Sequence, residues 1–177
     1  MLVACLGGQT SDPGNVIICN DEHVSADEPV SGVSPARLAQ TFAGSYTSTL
    51  RWMGGRDATA GAPVPDDQVT IALTYRGGDG IRCGTLSVPV AIEVTTRDSG
   101  IHEMGTATLS AAQGSIESAR LGFTGNQVVI RGELNRSNGT VAIFGILESR
   151  AADPPGSSAQ FPAAATSTGS GGSGAAP

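Results

Sequence analysis

Two histidines, His23 and His102, stand 79 residues apart in a chain of 177, and neither has a cysteine at a spacing that would pair it for nucleophilic attack. No serine lies in a Gly-x-Ser-x-Gly elbow, so a hydrolytic triad has little to draw on. Carboxylate pairs of the glycosidase kind could form across strands from Glu93, Asp98, Glu103, Glu117, Glu133 and Glu148. Acids at outward strand positions are more often a solvated face, and the sequence is read as that of a non-enzyme with no catalytic residue and no cofactor. The cluster Asp21, Glu22, His23, Asp27 and Glu28 offers oxygen ligands but lacks the fixed glycine and spacing of a calcium loop, so no metal site is assigned.

One loop has the makings of a binding site. In Arg76-Gly77-Gly78-Asp79-Gly80-Ile81-Arg82-Cys83, Arg76, Asp79 and Arg82 sit on a flexible backbone that could recognise an anion or a carboxylate. An ordinary hairpin connection is the competing reading. No glycine-rich loop opens a helix, which excludes nucleotide binding. The chain has no lysine and no arginine stripe, so nucleic acid is excluded as a partner.

The elements that must carry these residues are strands. Apolar and polar residues alternate strictly over 42–52, 69–76 and 86–97, and more weakly over 107–111, 119–123, 128–134 and 141–147, giving about seven strands. Turn chemistry separates them, most clearly Asn138-Gly139, the signature of a two-residue hairpin. The expectation is an all-β domain over 34–150, a single antiparallel sandwich or up-and-down barrel in a meander. One short helical turn precedes it at Ser34-Pro35, where a Ser cap meets Pro at the first helical position. Pro89 marks the 86–97 strand as an edge or a bulge. The stretch Val141–Leu147 is apolar on both faces, which predicts a central strand, a cover from the N-terminal segment, or a protein interface at Phe144 and Ile146.

The flanks differ in composition. Residues 5–33 are rich in Gly, Ser, Asp and Pro, and the first forty residues hold five acids against Arg37 alone, which reads as a flexible acidic tether. Residues 151–177 are almost wholly Ala, Gly, Ser, Thr and Pro and are expected to be disordered. Phe161 is the one residue there with a side chain suited to docking.

The sequence Leu2-Val3-Ala4-Cys5 resembles the lipobox of bacterial lipoproteins, an aliphatic residue, a variable one and a small one before the lipid-bearing cysteine. The resemblance covers the N-terminus only, and the charged and apolar regions of a signal peptide are not present upstream. It implies that residues 1–4 are the remnant of a signal peptide, that Cys5 carries the lipid, and that the protein is held on the bacterial cell envelope, at the outer membrane or a periplasmic face. With Cys5 set aside, Cys19 and Cys83 form an even pair, which an oxidising compartment would join. The bridge would close a loop of 64 residues, worth roughly 4 kcal/mol by chain entropy. The function expected of such a chain is a non-catalytic interaction or structural module, with the membrane and a protein as partners. The alternative is a small-ligand carrier, which needs a closed barrel with an empty interior.

Overall fold

The computed structural model describes residues 21–53, 66–112, 115–150 and 158–161. The alternation read from the sequence becomes ten strands and one helix: β1 Glu22–Val24, α1 Pro35–Phe42, β2 Gly44–Met53, β3 Asp67–Thr74, β4 Gly80–Cys83, β5 Thr85–Thr96, β6 His102–Ala112, β7 Ser118–Thr124, β8 Val128–Ser137, β9 Thr140–Ser149 and β10 Ser158–Phe161. Eight of them form a closed antiparallel barrel in the order β2-β3-β5-β6-β7-β8-β9-β10, and β10 pairs back onto β2 to complete the ring. The architecture is therefore the up-and-down barrel rather than the sandwich, with every neighbour in the ring adjacent in sequence apart from the β4 insertion and the closure itself.

The side-chain period of two decides what lies inside. Inward positions of the ring include Tyr46, Leu50, Ile71, Leu109, Ile130, Leu134, Ile143 and Leu147, all almost without solvent exposure. The helix begins where expected. Ser34 accepts a hydrogen bond from the Arg37 amide on its Oγ (3.2 Å), and Pro35 occupies the first turn. It runs for eight residues, two turns rather than one, and takes in Phe42, which the alternation had assigned to the following strand. Pro35, Leu38, Ala39 and Phe42 are its buried face, packed against β5 and β3. The Tyr46 hydroxyl donates to the carbonyl of Phe42 (2.7 Å), satisfying a helix C-terminal acceptor from inside the barrel, and burial pushes its phenol above the usual range.

Asn138 and Gly139 both adopt positive φ, 52° and 78°, as a two-residue primed turn requires between β8 and β9. Pro89 falls neither on an edge strand nor at a bulge. Its register with Thr108 on β6 is uninterrupted, while on the opposite side β5 passes from β4, which pairs with 85–87, to β3, which pairs with 91–96. The proline sits at that switch, where the second ladder has no partner for its missing N–H.

Three strands were not foreseen. β1 and β4 form a small antiparallel flap on one edge of β5, and β10 lies inside the stretch 151–177 expected to be disordered. The last is the more consequential correction. Ala159 and Phe161 are fully buried, so the domain extends past residue 150 to take its eighth wall strand from a segment that composition alone marks as unstructured. The Phe161 ring explains how so short a strand is held. Gly132 and Gly145 face each other across the β8–β9 ladder at inward positions, and the ring lies against both. A Cβ on Gly145 would collide with the Arg131 carbonyl, lie 2.6 Å from the Gly132 Cα and 2.9 Å from the Phe161 ring. The two glycines make the dent and Phe161 fills it.

Candidate functional site

The inward side chains of the barrel are buried, and three concavities lined by described residues lie on its outer face. The largest, about 990 Å³, runs across β6 to β9. Its origin is local. Outward positions on β6 and β7 carry small groups, Thr108, Ser110, Ala112, Ser118 and Gly122, whereas β7 to β9 raise Arg120, Arg131, Glu133, Phe144 and Ile146 around them. The seam beneath is thin. β6 and β7 share three residue pairs, Thr108–Gly122 to Ser110–Arg120, against eleven for β5–β6 and seven for β7–β8, so the ladder stops at Ser110 although β6 runs on to Ala112.

The chemistry of this groove is amphipathic with balanced charge. Arg120 stands opposite Glu133 in the β7–β8 register, and Arg131 lies 3.5 Å from Glu148, an exposed pair of little energetic weight. On the β9 side Phe144 is half-buried and Ile146 is 40% exposed, one of the few large apolar side chains so open to solvent. Both face outward, as the two-sided apolar reading of 141–147 implied. The strand is covered on its inner face by the core and flanked by β8 and β10. The N-terminal segment does not cover it where that segment is described, because β1 pairs with β4, which borders β5 on the far side of the ring.

The loop singled out by its arginines is put to other uses. Arg82 donates from Nε to Oε2 of Glu22 (2.7 Å) and pairs with it again through Nη2. The Asp79 carboxylate accepts from the Ala26 amide (3.2 Å), and the Tyr75 hydroxyl closes the loop on the Gly78 carbonyl (2.9 Å). Arg76 is exposed and borders a second outer concavity of about 540 Å³ with Pro89, Glu93 and Met104, the last 70% exposed. Asp79 and Arg82 thus fasten the segment 22–26, and the three residues do not converge on one ligand. Glu22, a member of the acidic cluster around His23, is taken by the same contact. Among the described residues no group of three His, Cys, Asp or Glu is placed to hold a metal ion. His102 Nε2 lies 3.0 Å from Glu93 Oε1 on the outer face, with both side chains about half exposed.

Cys83 ends β4, half-buried, and is engaged rather than free. Cys5 and Cys19 lie outside the described residues. Continuing the β1–β4 register by one step from Glu22–Arg82 sets residue 21 opposite Cys83.

Comparison with protein-family models, characterised proteins and solved structures gives no match. What the chain does must therefore be argued from the groove and the interior.

Small outward side chains on adjacent strands are what make the groove. They are readable in the sequence as Thr108, Ser110 and Ala112 facing out beside Gly122, but a meander can be folded into a groove-bearing wall only once the barrel closure and the short β6–β7 ladder are known.

Proposed function

We propose that this protein is a lipid-anchored, non-catalytic interaction module of the bacterial cell envelope, tethered through Cys5 and binding a protein partner along the outer groove beside Phe144 and Ile146. The observation that carries the reading is the placement of space. The side chains that point into the barrel are buried aliphatic and aromatic groups, and the largest of the three described concavities lies outside, with an apolar margin and charges of both signs. That arrangement suits a polypeptide, which presents apolar side chains and polar backbone together. The bridge between Cys19 and Cys83 belongs to the same proposal. What supports it is that Cys83 is engaged and that Cys19 lies only two residues before Asp21, a span of at most about 7 Å, from the position set opposite Cys83. A small-ligand carrier is the second reading, favoured by the closure of eight strands, a size that in other barrels holds one small ligand.

The test is made in a bacterium, with the chain expressed behind a lipoprotein signal peptide and a photo-crosslinking amino acid placed at Ile146 or, as control, at Arg97. Membrane fractions should hold a species that begins at Cys5 with added lipid mass and one reduction-sensitive bridge, and irradiation should give a discrete protein adduct from position 146 and none from 97. A protein released without lipid sinks the anchoring. Equal adducts from both positions, or none from 146, sink the groove.

A further inference from the structure

The buried polar side chains of the barrel are not scattered. Of the five among the described residues, Asp67, Thr96, Glu103 and Ser149 occupy inward positions at the end where β3 and β6 begin and β5 and β9 finish, forming a polar collar inside one rim, and the fifth, Ser48 on β2, stands opposite Val69, which also pairs with Thr96. Two of them are carboxylates, and each holds the backbone of a neighbouring turn. Glu103, on β6, accepts from the amides of Gln127 and Val128 (2.9 Å each) and from that of Asn126. Gly125 leaves the room, since a Cβ there would collide with the carboxylate. Asp67, on β3, accepts from the amides of Gln68 (2.6 Å), Asp98 (2.8 Å) and Ser99 (3.0 Å) and from the Ser99 hydroxyl (2.6 Å), while Thr96 Oγ1 takes the Ile101 amide (2.8 Å). Each turn is thus held by a carboxylate from another strand in addition to bonds of its own, Gly125 N–H to the Val128 carbonyl in one and Ser99 Oγ to Thr96 Oγ1 in the other.

We propose that this rim is a charge-locked latch, in which protonation of Glu103 releases the 125–128 turn and protonation of Asp67 releases the 97–100 turn while the barrel wall remains folded. An ionised carboxylate offers acceptors to all the amides aimed at it, and a protonated one gives up part of that capacity and brings a proton where donors already converge. The wall does not depend on either group, because its strands are tied by ladders and by an apolar core that lies beyond the collar.

The charged neighbours set the sense of the switch. Arg150, from the end of β9, donates through Nη1 to the Gly125 carbonyl (3.2 Å) and through its amide to the Gln127 carbonyl, adding positive charge on the far side of the turn that Glu103 holds. Arg97, paired with Asp98 at 3.0 Å, lies in the field of Asp67, while Asp98 and the adjacent Asp66 oppose it. The Glu93–His102 pair stands on the outer face of the same end of the β5–β6 hairpin, whereas the collar faces inward. Burial raises the Asp67 carboxyl, but the bonds from Ser99, Asp98 and Gln68 outweigh it and hold the group below the usual carboxylate range. Its turn therefore stays closed through that range and opens only in stronger acid.

The experiment is amide hydrogen exchange, resolved by residue, on the whole chain and on Glu103→Gln and Asp67→Asn. Glu103→Gln should speed exchange at 126–128 by about tenfold or more, the equivalent of one hydrogen bond to a charged group, beyond any change at 98–101 or at the wall amides of Leu109 and Ile130. Asp67→Asn should do the reverse. Lowering the pH of the wild-type protein provides the same readout without a variant: the turn amides should shift on protonation before the wall amides lose protection. Unchanged exchange at 126–128 in Glu103→Gln, or turns and wall giving way together in both the variants and the acid titration, would overturn the latch.

Discussion

Replacing Phe161 by Ala tests whether the barrel is closed by a strand from the C-terminal segment. The side chain is 1% exposed, and fully burying a phenylalanine is worth roughly 1.5–3 kcal/mol in transfer alone. The remaining loss is the cavity, and here it cannot collapse. Two of the surfaces that would have to move inward are Gly132 and Gly145, which have no side chains to swing into the space, and Gly145 is already in contact with the Arg131 carbonyl opposite. The cost should therefore fall in the upper part of the range measured for such truncations, about 4 kcal/mol. Urea unfolding followed by the fluorescence of Trp52 is the natural assay, because this single tryptophan stands opposite Ala159 across the closing seam. The midpoint should drop steeply with the slope unchanged, and Gln160→Ala, the exposed neighbour, should move stability by no more than about 0.5 kcal/mol. A Phe161→Ala loss below about 1 kcal/mol would refute the argument, since a residue that stops up the wall cannot be removed so cheaply.

Three further outcomes follow from the same geometry. Gly145→Ala should destabilise by about 3 kcal/mol in the same urea assay, because the added methyl meets backbone on β8 as well as the Phe161 ring. Asp67→Asn should cost about 2 kcal/mol at neutral pH, from the loss of charge-assisted bonds to the 97–100 turn. Because the folded carboxyl titrates below its unfolded value, that stability is present above about pH 4 and is lost as the pH falls through the folded value, so the variant's acid-unfolding limb should be shallower than the wild type's. If Cys83 is bridged to Cys19 as proposed, Cys83→Ser should lower the oxidised protein's stability by up to roughly 4 kcal/mol and leave the reduced protein nearly unaffected, as thermal unfolding with and without reductant will read.

The wall of the barrel was legible because a half-buried strand advertises itself by alternation. β3 and β5 keep Val69, Ile71, Leu73 and Leu86 to Val94 on one face without a break, and burial follows that pattern residue by residue. β10 was not legible for the opposite reason. Four residues carry too few apolar positions to show a period, and Phe161 acquires its role from the glycine dent shared by β8 and β9, more than a dozen residues away. β1 and β4 were missed because strands of three and four residues are too short to show a period, and their partners lie far off in sequence, as Glu22 does from Arg82. The loop around Arg76 shows the limit of reading chemistry from residue types. Its residues have the chemistry of an anion site, and the fold spends Asp79 and Arg82 on fastening the N-terminal segment. Outward Glu133 and inward Glu103 look alike in sequence, and only the collar at the rim distinguishes an acid in water from one that holds a turn.

Closure through β10 also fixes when the protein can finish folding. β2 ends at Met53, and the strand that must lie beside it begins at Ser158, so the last seam joins residues more than a hundred positions apart in the chain. That contact cannot form while the C-terminal part is still being synthesised or threaded across a membrane, and contacts of such long range are slow to close. Until then the edges of β2 and β9 remain open to other strands. A chain built this way gains from being kept extended until it is delivered whole, and its completion is then a single late event at one seam.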